Sequence, residues 1–260
     1  MLPSWNPDRL VRKIPFVAAA IGGRRQGKST LTYHLLYLMR KQFDLVISFM
    51  GASACSPEMR ALLESDFDPR FVFSEWNQTM MNALLRQQEK LKLEGIKRQV
   101  LILVDDIILS GKDEDSLSHM CLRGRHFNIS VFACAVSYTT LPKRSRRSLD
   151  VLFMFSCPMA GDCQILCTEY ANQARMARYC LQNLPEWTSL VMETLERKQR
   201  LYHYKVELHT ESQTQESQVC AQDETEASRD SLLHSQISSH PDKNDVPSHG
   251  IADPEISQGA

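Results

Sequence analysis

Residues 14–36 read IPFVAAAIGGRRQGKSTLTYHLL, and this stretch decides the fold. Its centre, Gly22-Gly23-Arg24-Arg25-Gln26-Gly27-Lys28-Ser29, satisfies G-x-x-x-x-G-K-[ST], the phosphate-binding P-loop. The run Ile14–Ile21 before it has the length and apolar content of a buried strand. Ser29–Gln42 after it carries Leu31, Leu35, Leu36, Leu38 and Met39 at helical spacing. Strand, loop and helix in that order are what the chemistry requires. The glycines let backbone N–H groups converge on phosphate oxygens, and the helix N-terminus adds partial positive charge. Gly22 through Thr30 are therefore the expected nucleotide-binding residues: Gly22, Gly23, Arg24, Arg25, Gln26, Gly27, Lys28, Ser29 and Thr30. Lys28 is expected to reach the β- and γ-phosphates of ATP, and Ser29 to ligate Mg²⁺.

Outward from this centre, the next informative stretch is Val100-Leu101-Ile102-Leu103-Val104-Asp105-Asp106. An aliphatic strand ending in acids is the Walker B arrangement. Asp105 is expected to hold Mg²⁺, directly or through water, and Asp106 to orient and polarise an attacking water. The second acid, on a strand separate from the P-loop strand, points to the P-loop ATPases with an added catalytic acid. Small-molecule kinases usually lack that acid. A GTPase would show N-K-x-D after the Walker B strand, and none stands there. No Ser-His-Asp order or HExxH pattern offers a competing chemistry.

The rest of the body alternates strand and helix signals. Asp44–Phe49, Phe71–Phe73, Ile129–Val136 and Val151–Phe155 read as strands. Gln78–Glu94, Asp115–Leu122 and Glu169–Leu184 read as helices. Ser189–Met192 and Leu201–Val206, joined by a charged turn, read as a terminal hairpin. Continuous apolar strands alternating with helices predict a mostly parallel sheet covered on both faces. Trp5 and Trp76 are most simply packing residues.

A third region runs Leu122-Arg123-Gly124-Arg125-His126-Phe127-Asn128-Ile129-Ser130, then through Ser137-Tyr138 and Leu141-Pro142 to Lys143-Arg144-Ser145-Arg146-Arg147. The order P-loop, aliphatic-Asp-Asp, GRH-x-N-I-S, strand, S-Y-x-x-L-P, basic cluster, strand resembles viral genome-packaging ATPases of the poxvirus and giant-virus type. Their relatives occur in large virus-like DNA transposons, and they belong to the FtsK/HerA superfamily of DNA-pumping ATPases. The resemblance covers roughly residues 14–207. It implies a RecA-like P-loop ATPase that moves double-stranded DNA into a capsid as a homo-oligomeric ring. A capsid portal or vertex protein would be a further partner. It also implies a polar sensor, often Gln, just before Ser-Tyr. Val136 stands there instead, and Ser137 is the residue placed to supply the sensor's hydrogen bond. A ring ATPase further implies an arginine finger from a neighbouring subunit, for which Arg125 and Arg147 are the candidates. Lys143, Arg144 and Arg146 are candidate DNA contacts; the same cluster also reads as a nuclear-localisation patch. His126 reads as a structural histidine.

Composition fits this reading. The chain has 260 residues, 43% hydrophobic and 23% charged, and a net charge of −1. Residues 209–260 hold ten acids against Arg229 and Lys243, leaving that segment at −8 and residues 1–208 at +7. A basic body suits a polyanionic partner. The acidic Ser- and Gln-rich segment 209–260 cannot bury enough apolar surface to offset ordering entropy, so it reads as a disordered tail after an ATPase domain spanning 1–208. Eight cysteines form no CxxC pair, and Cys157, Cys163, Cys167 and Cys180 match no common zinc spacing, which suits reduced thiols inside a cell, in nucleus or cytoplasm. No stretch has the length of a membrane span. Two rival readings keep the P-loop: another FtsK/HerA-like DNA translocase, and a switch protein that binds nucleotide without hydrolysing it.

Overall fold

In the computed structural model the described residues are 2–51, 56–107, 109, 111–156, 160–169, 174–194 and 199–206. The chain divides into a unit Met1–Glu207 and a unit Leu208–Ala260. The segment 209–260, read above as a disordered tail, lies outside the described residues.

The strands are β1 (Val17–Ile21), β2 (Leu45–Met50), β3 (Val72–Phe73), β4 (Val100–Asp105), β5 (Ile129–Ala135), β6 (Val151–Met154), β7 (Thr188–Glu193) and β8 (Arg200–Lys205). They form one eight-stranded sheet in the order β3-β2-β4-β5-β1-β6-β7-β8. The pairs from β3 to β6 are all parallel, while β7 and β8 add an antiparallel hairpin. The helices are α1 (Asp8–Val11), α2 (Lys28–Met39), α3 (Pro57–Asp66), α4 (Gln78–Leu93), α5 (Lys112–Arg123), α6 (Lys143–Arg146), α7 (Ala160–Glu169) and α8 (Ala174–Gln182).

Side-chain alternation divides the core into two layers. Ala19, Ile21, Ile47, Ile102, Val104 and Val131 point to one face, where Met81 of α4, Met120 of α5, Leu166 of α7 and Leu181 of α8 cover them. Ala18, Ala20, Val46, Leu101, Leu103 and Phe132 point to the other, beneath Leu31 and Leu35 of α2 and Met59 and Leu62 of α3. Every residue of β1 and β4 is buried. That is why these strands read as unbroken apolar runs rather than as alternation. The predicted parallel α/β sheet with helices on both faces and a terminal hairpin is the observed fold.

Among the described helices α1, α3, α6 and α7 carry no expectation from the sequence. In α3, Ser56 caps the first turn by accepting from Met59 N at 3.2 Å, and Pro57 occupies the first helical position. Such a capped start is a local signal that periodicity alone overlooks. The helical reading over Glu169–Leu184 corresponds to α8, over Ala174–Gln182, while α7 ends at Glu169, where that reading begins.

The amino-terminal segment is fastened to the far side of the sheet. Trp5 Nε1 donates to Glu193 Oε2 at 2.9 Å, and Arg9 donates to both carboxylate oxygens. The Trp5 ring meets Phe153 edge-on at 4.9 Å between centroids. Trp76 packs on Phe49 at 4.6 Å. Both tryptophans are packing residues, as expected.

Candidate active site

Parallel strands place their carboxyl ends on one edge of the sheet, and there the P-loop leaves β1. The loop begins beside the end of β5, where Gly22 N donates to Ala135 O at 3.2 Å. Two glycines are fixed by geometry. A Cβ at Gly22 would lie 2.7 Å from both Phe155 Cβ and Gln26 Oε1, closer than atoms pack. Gly27 has φ 102° and caps α2, so the chain turns through a left-handed conformation before the helix starts at Lys28. Arg25 also has positive φ, at 60°.

The loop satisfies its own polar groups. Lys28 Nζ donates to Gly22 O and Gly23 O, each at 2.9 Å, and Gly23 N donates to Gln26 Oε1 at 2.7 Å. Gln26 thus accepts from an amide that would otherwise face a phosphate oxygen. Arg24, Arg25 and Ser29 are exposed, while Lys28 and Thr30 are half-buried.

The Walker B pair splits into two environments. Asp105 ends β4 and is 3% exposed, whereas Asp106 is exposed and left-handed, with φ 52°. Asp tolerates that conformation better than most residues. Burial pushes the Asp105 carboxyl up to about 6; the Lys28 ammonium pulls it down and the Asp106 charge adds to the rise. Asp105 is thus within electrostatic reach of Lys28, whose ammonium bonds the loop carbonyls instead. Its Oδ2 is buried without a hydrogen-bond partner among the described residues. A buried carboxylate oxygen left without a donor beside the P-loop is what a hard divalent cation would take, so the donor set of Asp105 and Ser29 fits Mg²⁺. β5 lies between β1 and β4 in the sheet, so the acids reach the loop from the strand beyond its neighbour.

Beneath this site Cys134 on β5 stands 3.0 Å from Thr32 Oγ1 of α2. Burial and the Asp105 charge hold its thiol well above the ordinary range. Among the described residues Cys121, Cys134, Cys163, Cys167 and Cys180 are all free, and no group of three or more His, Cys, Asp or Glu is gathered as metal ligands. Cys157 lies outside the described residues.

The segment after β5 differs from expectation. Val136, in the sensor place, is 43% exposed and carries no polar group. Ser137 does not stand in for it: its Oγ donates to Asp162 Oδ2 of α7 at 2.6 Å. Its proton is engaged by a buried carboxylate instead of facing the nucleotide side.

The basic cluster is also divided. Lys143, Arg144 and Arg147 are exposed, and Arg144 lies 3.8 Å from Asp115. Arg146 is not available to DNA. Its side chain is 10% exposed, donates to Leu141 O at 3.0 Å and Glu169 Oε1 at 3.2 Å, and covers the Tyr138 ring at 5.0 Å. The expectation of a DNA contact at Arg146 is corrected: a guanidinium with those partners would have to break them to meet a phosphate.

Arg125 and Arg147 line one cleft of about 450 Å³ with Lys13 and Asp150. Asp150 accepts from Val17 N at 2.8 Å, which puts the cleft at the amino end of β1. The P-loop leaves the other end, roughly 13 Å away at about 3.3 Å per residue. Neither arginine serves the P-loop of its own chain. His126 is exposed on the same turn as Arg125.

One residue beside the P-loop has no signal in the sequence. Trp187 is 53% exposed and has φ 60°. That conformation costs a residue of this size about 1–2 kcal/mol. Nothing in the spacing around Pro185-Glu186-Trp187 marks it.

The family described as poxvirus A32 protein matches residues 5–226. No curated protein matches the chain. The fold is similar to solved structures at low identity. The genome packaging NTPase B204 of Sulfolobus turreted icosahedral virus 2, solved with AMP, is 13% identical and superposes with a TM-score of 0.55 over 78% of this chain and 100% of that one. The same NTPase solved with ATP-gammaS gives a TM-score of 0.54 at 13% identity, over 78% and 100% of the two chains. The pCW3 conjugation coupling protein TcpA, solved with ATPgS, gives 0.54 at 12% identity, over 77% of this chain and 62% of that one.

Proposed function

The chain belongs to the poxvirus A32 protein family, and from that premise we propose that it hydrolyses ATP to ADP and phosphate and uses the energy to drive double-stranded DNA into a viral capsid. The observation that carries the reading is a buried Asp105, one carboxylate oxygen without a partner, ending its strand at the carboxyl edge of a parallel sheet within electrostatic reach of the P-loop Lys28. Each part has a role in phosphoryl transfer, where positioning and electrostatics supply most of the catalysis. The amides from Gly22 to Ser29 cradle the phosphates once Gln26 releases Gly23 N. The ammonium of Lys28 leaves the Gly22 and Gly23 carbonyls for the β- and γ-oxygens. Asp105 and Ser29 would hold Mg²⁺, which would supply neutralisation of phosphate charge. Asp106, exposed beyond the strand end, orients the attacking water. Lys143 and Arg144 offer phosphate contacts to DNA that carry no sequence preference. Arg125 and Arg147, remote from their own P-loop, serve a neighbouring subunit in a ring. The place of action is inside an infected cell. Among the described residues no helix is long and apolar enough to cross a membrane.

Val136 and the engaged hydroxyl of Ser137 favour a second reading, in which nucleotide is bound but turned over slowly or not at all. One assay separates the two: ATP hydrolysis by the full chain with and without duplex DNA. DNA-stimulated hydrolysis that Lys28→Ala abolishes supports the motor. Tight ATP binding with no hydrolysis under either condition supports the switch and removes the motor.

A further inference from the structure

Trp187 departs from tryptophan's ordinary behaviour in three ways at once. A large apolar ring is left 53% exposed, its backbone is left-handed at φ 60°, and it lies against the P-loop. The approach is close: a Cβ placed on Gly27 would meet Trp187 Cε3 at 3.2 Å and Phe155 Cε1 at 3.4 Å. Surface tryptophans with no task are uncommon, and backbone strain is kept where the surroundings put it to use. Here the strained residue sets its indole against the loop at Gly27 and leaves it out of the core. Between them lies a cavity of about 370 Å³ bordered by Arg25, Gln26, Phe155, Pro185, Glu186 and Trp187. That volume falls within the roughly 300–1,000 Å³ of small-molecule sites.

We propose that Trp187 is the platform on which the base of a purine nucleoside triphosphate stacks, and that this cavity is the base subsite. The proposal rests on the reading that the P-loop holds the triphosphate. If phosphates sit on the amides between Gly22 and Ser29, the attached nucleoside must leave the loop along one of its flanks. The flank past Arg25 and Gln26 opens into this cavity. Its walls include the exposed ring of Trp187 and the largely buried ring of Phe155. A purine presents a wide π-face and gains most from such a surface. The position also explains why Gly27 faces Trp187 without a side chain: a methyl there would press on the ring that receives the base.

The test uses the full chain and calorimetric titration with two ligands, a non-hydrolysable ATP analogue and inorganic tripolyphosphate. Trp187→Ala should weaken the analogue roughly tenfold, the order expected for loss of one stacking platform, and leave tripolyphosphate binding unchanged. Trp187→Phe should keep analogue affinity within about threefold of wild type, because it retains a ring to stack on. The analogue should quench tryptophan emission in wild type and not in Trp187→Phe, where Trp5 and Trp76 remain. Analogue affinity unchanged in Trp187→Ala would overturn the proposal. Equal weakening of both ligands would also overturn it, since Trp187 would then be propping the loop at Gly27. A wild-type chain that binds neither ligand would remove the P-loop reading itself, a result distinct from the other two.

Discussion

Ser137 Oγ donates to Asp162 Oδ2 at 2.6 Å, and this bond fastens the end of β5 to α7. The same carboxylate accepts from Tyr138 N at 3.1 Å and Thr139 Oγ1 at 3.1 Å. At its ring end, Tyr138 donates through Oη to Glu169 Oε2 at 2.6 Å, and Glu169 also holds Arg146. Two acids of one helix therefore tie down the whole segment from the end of β5 to the end of α6. This segment joins the nucleotide edge of the sheet to the basic cluster.

Removing Asp162 should loosen that connection. Asp162 is 6% exposed, so Asp162→Ala leaves buried donors unpaired and is expected to cost about 2–3 kcal/mol. Urea unfolding would measure it. Ser137→Ala, which removes only one donor, should cost about 1 kcal/mol or less. If Ser137→Ala instead abolishes ATP turnover while stability is kept, Ser137 acts as the sensor after all.

Asp106, just beyond the end of β4, should behave differently from Lys28. Lys28→Ala removes the point charge on the phosphates and should abolish ATP binding. Asp106→Asn should retain ATP binding and lower turnover by at least about 100-fold, since it touches only the attacking water. A turnover assay paired with nucleotide titration reads both. Hydrolysis at the wild-type rate in Asp106→Asn would reassign the catalytic acid.

DNA binding should fall steeply with salt. Lys143→Ala with Arg144→Ala should reduce the slope of log K against log salt by about 2, near 0.9 for each phosphate no longer neutralised. Arg146→Ala should act otherwise. It takes the cation from the Glu169 carboxylate and uncovers the Tyr138 ring, so stability should drop by roughly 1–3 kcal/mol. An Arg146→Ala protein of full stability and a reduced salt slope would return that residue to the DNA face.

Acid should release the amino-terminal segment. Glu193 is 1% exposed; burial raises its carboxyl, but the Arg9 and Trp5 hydrogen bonds outweigh that and hold it below its ordinary 4.5. A depressed carboxyl contributes stability that is fully present above its unfolded value and is lost as pH falls through the folded one. Wild type should therefore lose stability below about pH 4.5 more steeply than Glu193→Gln. Parallel loss in both proteins would place the acid sensitivity elsewhere.

Arg125 and Arg147 should act between subunits. An arginine finger is worth about 10³–10⁵ in rate, so either mutant alone should be nearly inactive if it is the finger. Mixing it with a Lys28→Ala chain should restore activity, because some interfaces then pair an intact loop with an intact finger. Full DNA-stimulated activity in both arginine mutants would exclude the pair.

The P-loop, the Walker B strand and the parallel sheet were all legible in the sequence. Their signals are local: burial on both faces makes β1 and β4 unbroken apolar runs, and the loop chemistry fixes Gly22, Gly27, Lys28 and Ser29 at set spacings. The helix α3 was also signalled locally, through Ser56 and Pro57, although hydrophobic periodicity did not find it. Tertiary structure alone decided what lies beside what. Trp187 meets Gly27 across about 160 residues of chain, Asp162 accepts the hydrogen bond of Ser137, and Glu169 withdraws Arg146 from the basic surface. Insertion of β5 between β1 and β4 is of the same kind, a choice among strand orders that equally apolar strands leave open. The physical reason is range. Propensity, capping and loop geometry act over a few residues and are written in spacing, whereas a hydrogen bond or a ring contact depends on where two distant segments are packed, and the spacing around either partner is the same whether or not they meet.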